Sequence, residues 1–562
     1  MPHPRGWSLV PWVSIAVLAL PVLAGLVGVV APAFGYMPAL GGNAVSLAHW
    51  QATLSWPGLP AAIRLSVVTG VAATALSLAL TILIVAAWQG TRSFVWVTRA
   101  LAPLLALPHA AAAFGLAFLI APSGWLARAA SPMLTGWDRP PDLLIVNDTW
   151  GMALIAGLVV KEVPFLLLMT LAALGQTDSL RTQLVARALG YGRVTGWLKT
   201  VLPRVYPQIR LPVYAVLAYS MSVVDVALIL GPTRPPTLAV QILDWMTRPD
   251  LAMRFQAAAG AVLQLALVLG VLVLWRLAEL AIARWGRNWA ASGERGVMAD
   301  RGLRPLAALG ALIIGAVVAL GLAGLVVWSF AGLWRFPDLL PQSWSLRNWT
   351  GQMGSLGPIT RDTALIALGA TAIAMALSVS VLEAEARGNK THAIALVYLP
   401  LIAPQIAFVP GLASFALVLG LDGSRLAVMA LHLVFVLPYV YLSLADPWRA
   451  WDARAGLSAQ ALGAGPWRVL WAVRLPMLTR PLLIAFAVGF ATSVAQYLPT
   501  LLIGAGRVTT VTTEAVALAS SANRRLIGVW AAVQMALPML VFALAILLPT
   551  LIFRRRQGMR VT

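Results

Sequence analysis

The 562-residue chain has no cysteine. That excludes disulfides, thiolate catalysis and cysteine-ligated metal. Histidine is nearly as scarce, with five residues so scattered that no metal cluster is expected. Charged residues make up only 10% of the chain, and 19 Asp and Glu stand against 40 Lys and Arg. No Gly-x-x-x-x-Gly-Lys-Ser/Thr segment is present, so the chain carries no phosphate-binding loop of its own. The clustered His/Asp/Glu set that a membrane enzyme would need at one interface is also missing.

What is abundant is apolar. Hydrophobic residues make up 60% of the chain, and the mean hydropathy of +0.85 describes more apolar surface than a soluble domain can bury. A bilayer core takes about 20 apolar residues per helix. Candidate spans fall near 10–33, 62–87, 95–120, 147–174, 208–231, 255–283, 305–332, 363–384, 393–420, 425–445, 480–504 and 528–553. These Leu/Ala/Val runs lack the alternation of barrel strands, and backbone groups in lipid must be satisfied within the segment. The expected fold is therefore an all-α polytopic membrane protein of about twelve transmembrane helices. The first run is too long for a signal peptide and ends without a small-residue cleavage pattern, so it is read as a helix.

The excess of positive charge follows the spans. With the N-terminus inside, the inside segments hold most of the Lys and Arg, among them Arg5, Arg99, Arg193, Lys199, Arg284, Arg304, Lys390, Arg468, Arg474 and Arg554 to Arg556. The bias places both termini in the cytoplasm. Basic residues beside lipid headgroups account for the charge, and no nucleic-acid role is expected.

The chain repeats itself. A shift of about 270 residues superposes Ala188-Leu189-Gly190 on Ala461-Leu462-Gly463, Leu202-Pro203 on Leu475-Pro476, and Gly231 on Gly504. With small shifts Val163-Pro164-Phe165 matches Leu437-Pro438-Tyr439, and Pro108 and Gly115 match Pro404 and Gly411. Two tandem homologous six-helix halves are expected, 1–285 and 305–562, joined by a cytoplasmic linker at 286–304. An even number of spans per half gives both the same orientation, with a pseudo-two-fold axis along the membrane normal.

The repeated stretches "ALGYGRVTGWLKTVLP" and "ALGAGPWRVLWAVRLP" lie between spans in equivalent places. Gly190 and Gly463 suit the left-handed end of a helix, and Pro203 and Pro476 suit the first turn of the next one. Between them fits a short helix along the cytoplasmic surface. Trp197, Leu198, Trp467, Leu470 and Trp471 would supply interfacial contact, while Arg193, Lys199, Arg468 and Arg474 face water or headgroups. Two copies at equivalent places favour a docking element for a two-fold, soluble partner.

The spacing resembles the EAA loop of permease subunits of bacterial ATP-binding-cassette importers: Glu-Ala-Ala, three residues, Gly, nine residues, Ile, one residue, Leu-Pro. Its positions here are Leu184-Val185-Ala186, Gly190, Thr200 and Leu202-Pro203, and Leu457-Ser458-Ala459, Gly463, Val473 and Leu475-Pro476. Gly and Leu-Pro match in both halves, while Leu184 and Leu457 replace the glutamate. The resemblance covers nearly the whole chain and is nearest to fused permeases of the ferric-iron and thiamine importer subgroup. It implies a type I importer fold in the bacterial inner membrane, with coupling loops at about 184–204 and 457–477. It further implies two cytoplasmic ATPase subunits, which hold the ATP and magnesium, and a periplasmic solute-binding protein. No cofactor or metal is expected on this chain, which would not itself be an enzyme.

Polar residues within spans are costly and mark pathway candidates: His109, Lys161, Glu162, Asp225 and His432. Lys161 and Glu162 are adjacent and so do not face each other; an ion pair of Lys161 with Asp225 across helices is expected instead. Gln264 and Gln534 occupy equivalent repeat positions and suit inter-helix hydrogen bonds, and Arg276 with Glu279 suits a local pair. The alternative is an ion-coupled secondary transporter of two six-helix halves, with Lys161, Glu162 and Asp225 as proton-coupling groups. Against it stands the absence of a comparable charge set in the second half.

Overall fold

A computed structural model describes residues 10–95, 107–388, 397–521 and 523–552. Arg5, Arg99, Lys390, Arg554 to Arg556, both termini and parts of the expected spans 95–120 and 393–420 lie outside the described residues. The first half runs α1 (Val10–Ala33), α2 (Leu59–Trp88), α3 (His109–Ile120), α4 (Met152–Gly175), α5 (Ser179–Ala188), α6 (Arg193–Thr200), α7 (Leu202–Ser222), α8 (Asp225–Leu230), α9 (Leu238–Thr247) and α10 (Met253–Ala291). The second half repeats the order: α11 (Val297–Phe330), α12 (Met353–Ala386), α13 (Gln405–Val418), α14 (Arg425–Arg449), α15 (Ala453–Ala461), α16 (Pro466–Val469), α17 (Leu475–Met477), α18 (Thr479–Val494), α19 (Leu498–Gly504), α20 (Val511–Ala517) and α21 (Arg524–Ile552).

Among the described residues nine helices are long and apolar enough to cross a membrane, or ten if α16 to α18, bent by 76°, count as one broken span. The other two of the twelve expected are α7, in the expected span 208–231, and the short α13. Two spans read as continuous are broken: α7 stops at Ser222 before α8, and α18 stops at Val494 before α19. The expected linker 286–304 is largely helical, because α10 continues to Ala291 and α11 already starts at Val297.

The halves are not separate bodies. Helix α1 packs on α12 and α13 of the second half, while its repeat equivalent α11 packs on α2 and α3 of the first. Small residues permit both crossings. A Cβ on Gly411 of α13 would meet the Gly25 carbonyl of α1, and one on Gly115 of α3 would lie 2.9 Å from the Gly321 backbone of α11. Lipid tails are as apolar as leucine, so close backbone approach is what selects such a crossing. The Gly115/Gly411 match in the sequence is therefore the mark of two equivalent swapped crossings.

Candidate functional site

Both repeated loops open with the same helix cap. Helix α5 ends in Gly190 at φ 84° and α15 in Gly463 at φ 85°, a left-handed conformation that a Cβ penalises. The closing hydrogen bonds coincide: Tyr191 N–H to the Ala186 carbonyl at 3.1 Å and Ala464 N–H to the Ala459 carbonyl at 3.0 Å, with Gly190 and Gly463 donating to Arg187 and Gln460. These are Schellman closures. Pro203 and Pro476 fall in the first turns of α7 and α17. Between cap and proline runs α6 in the first loop; the second has α16 continued by a single wide (π) turn over Leu470–Arg474. The ends of the two preceding helices meet, since Gln176 Nε2, just after α4, lies 3.4 Å from the Asp446 carboxylate near the end of α14.

Several side chains depart from the interfacial reading. Trp197 is fully buried, and its indole N–H donates to Gln89 Oε1 at 2.7 Å. Gln89 also donates to Ser179 at 2.8 Å and receives Arg193 on its carbonyl, so one residue at the end of α2 holds both α5 and α6. Arg193 thus turns inward; burial, with Arg187 and Arg304 nearby, lowers its guanidinium from the ordinary value against the opposing pull of Asp300. In the second loop Arg474 is buried too, 2.8 Å from Glu383 at the end of α12, and its guanidinium lies over Trp448 at 4.4 Å from the ring centroid. Each loop is therefore tied to the second long helix of its own half by one inward arginine. Gln89 and Glu383 were missed by sequence reasoning; the signal available was a polar residue directly following an apolar run.

The loops differ in their cover. The segment between α10 and α11, with the first turn of α11, lies on α6: Gly192 N–H donates to the Arg295 carbonyl at 2.7 Å, Lys199 Nζ to the Glu294 carbonyl at 2.8 Å, and both Asp300 carboxylate oxygens stand 3.2 Å from Val194 N–H. Gly192, the N-cap of α6, has no side chain, and Asp300 supplies the cap instead. The second loop has Pro466 at the start of its helix, which removes one of the N–H groups left unpaired there. There Trp471 is 65% exposed and Trp467 is 57% exposed. Ala188, Leu189, Ala461, Leu462 and Arg468 are exposed on the two loops, while Leu202 and Leu475 are partly buried.

A second feature lies between the halves. A cavity of about 220 Å³ is lined by His109, Lys161, Glu162, Tyr219 and Asp225 of the first half and by Gln405, Tyr439, Gln496 and Tyr497 of the second. The breaks after α7 and α18 bring Asp225, Gln496 and Tyr497 to it. Every charged group in its wall comes from the first half. The expected Lys161–Asp225 ion pair is not among the ion pairs of the described residues. Lys161 Nζ donates to the Leu107 carbonyl, and His109 Nε2 stands 3.4 Å from Glu162. His432 does not line the cavity; it is buried, with its ring nitrogens 2.8 Å from Ser493 and Thr500, tying α14 to α18 and α19. Gln264 and Gln534 hydrogen-bond Met221 and Thr512 on neighbouring helices as expected. Arg276 pairs with Glu279 at 2.8 Å, and Glu279 also takes Arg210, Tyr206 and Tyr214.

No family model matches the sequence. It is 35% identical over 552 residues, 98% of both chains, to the inner membrane ABC transporter permease protein YnjC of Escherichia coli strain K12. ATPase partners come with such permeases. Near-complete coverage at that identity, on an all-helical membrane fold, means that the chain belongs to the permease subunits of inner-membrane ATP-binding-cassette transporters.

Proposed function

We propose that this chain is the whole translocation unit of a binding-protein-dependent importer. Two cytoplasmic ATPase subunits dock on its two loops, and solute delivered from the periplasmic side passes between the halves through the central cavity. The observation that carries the reading is the loop pair: the same glycine-capped helix end, short helix and proline-started helix, built twice at equivalent places in the chain. Closure of the ATPase dimer on ATP displaces both loops, and their arginine ties pass the displacement to α2 and α12. The cavity then alternates between inward and outward access, biased by nucleotide at one end and by the loaded binding protein at the other. ATP and magnesium sit on the ATPase partners.

The swapped α1 and α11 support coupled motion, because neither half can rock without carrying a helix of the other. The test is to extract the tagged chain from its native membrane in mild detergent and identify the proteins that co-purify. ATPase subunits lost on replacing Gly190 or Gly463 are expected. A chain that stays alone and carries solute on an ion gradient would overturn the reading.

A further inference from the structure

We infer that the connector between the halves, residues 292–300, is part of the surface that receives one ATPase subunit, so that the two docking sites of this chain are chemically unequal. The inference rests on the docking role proposed above for the loops.

The connector is fastened to the docking helix itself. Its backbone takes Gly192 N–H and Lys199 Nζ, and Asp300 caps α6. The Arg295 guanidinium comes within 3.2 Å of where a Cβ on Gly190 would stand, so the connector adjoins the cap that ends α5. Whatever seats on α5 and α6 therefore meets the connector's outer side chains. Those are Val297 and Met298, 54% and 78% exposed, following directly on Gly296, which touches Thr195 of α6. Leu184 and Val185 of α5 and Leu189 of its cap are exposed apolar side chains as well. The second loop adds two exposed tryptophans, Trp467 and Trp471, to Leu457 and Leu462. The equivalent places of the first loop hold Val194, which is buried, and Leu198, which is partly buried, so the connector brings Val297 and Met298 to a site with no exposed aromatic side chain of its own. The occupant follows from continuity with the loop surface: an ATPase subunit, not lipid.

The absence of cysteine allows single-site labelling. Met298→Cys, Leu184→Cys and Leu462→Cys are placed separately in the full chain, in nanodiscs, with and without its ATPase subunits, and the rate of reaction with a membrane-impermeant maleimide is measured. All three are expected to react readily alone and to slow about tenfold in the complex, as contact surfaces exclude water. If positions 184 and 462 slow and 298 does not, the connector lies outside the interface and the inference fails while the docking reading stands. If 298 is unreactive without the ATPase, lipid covers it and the inference fails. If neither 184 nor 462 slows, the docking reading itself fails and takes the inference with it.

Discussion

The two docking loops share a helix cap and a proline start and differ in what secures the stretch between. The first is clamped: Trp197 is buried, Gln89 holds two helices, and Asp300 caps α6 from another half of the chain. The second is open on its outer face and is held by Arg474 with Glu383 beside the buried Leu470. A tandem repeat preserves the geometry that a two-fold partner needs, and each copy solves separately the problem of holding a short polar helix against a membrane bundle. The central cavity shows the same divergence, with charge from one half and neutral polar groups from the other.

The contrast can be broken from either side. The largest effect is expected at Arg474. Arg474→Ala takes from the buried Glu383 one of its two arginines, leaving Arg387, and removes the guanidinium from the Trp448 ring, a loss of about 2–4 kcal/mol; thermal unfolding in detergent should register it, and Arg474→Lys should recover part of it. Next comes the clamp. Asp300→Ala removes a charged acceptor from α6, at about 1.5–3 kcal/mol, and should speed amide exchange at Val194 and proteolysis between 292 and 300 with little change at the second loop. The cap glycines then give a direct ranking. Alanine at either costs about 1–2 kcal/mol of left-handed strain, but a Cβ at Gly463 meets open space whereas one at Gly190 presses on Arg295. Gly190→Ala should therefore lower ATPase retention more than Gly463→Ala, as measured by subunit ratio after purification. The smallest effect on function is at His432→Ala, which takes the partner from the buried Ser493 hydroxyl at about 1–3 kcal/mol of stability, while Thr500 keeps the Gln496 carbonyl; because His432 is outside the cavity wall, ATP turnover per folded complex should stay unchanged.

Much of this was legible in the sequence for identifiable reasons. Gly190, Gly463, Pro203 and Pro476 announce their backbone roles because a positive φ and a missing N–H are properties of the residue alone. The glutamine pair could be read because an amide in lipid needs a partner. The swap of α1 and α11 could not, since helices apolar on all sides do not record which neighbour they face, and Gly115 with Gly411 showed only as a repeat match. Trp197 was misread because an indole suits an interface or a buried hydrogen bond equally; Gln89, more than a hundred residues earlier, decides it. Lys161 and Asp225 reach the same cavity, but sequence spacing does not fix the distance across helices, and Lys161 donates to the Leu107 carbonyl instead.

The account depends on both loops being occupied. The mass of the complex extracted intact with its partners tests this most directly: one copy of this chain with two ATPase subunits is predicted, falling when Gly463 is replaced by valine. A complex that holds a single ATPase subunit, or none, with the loops unaltered would contradict it.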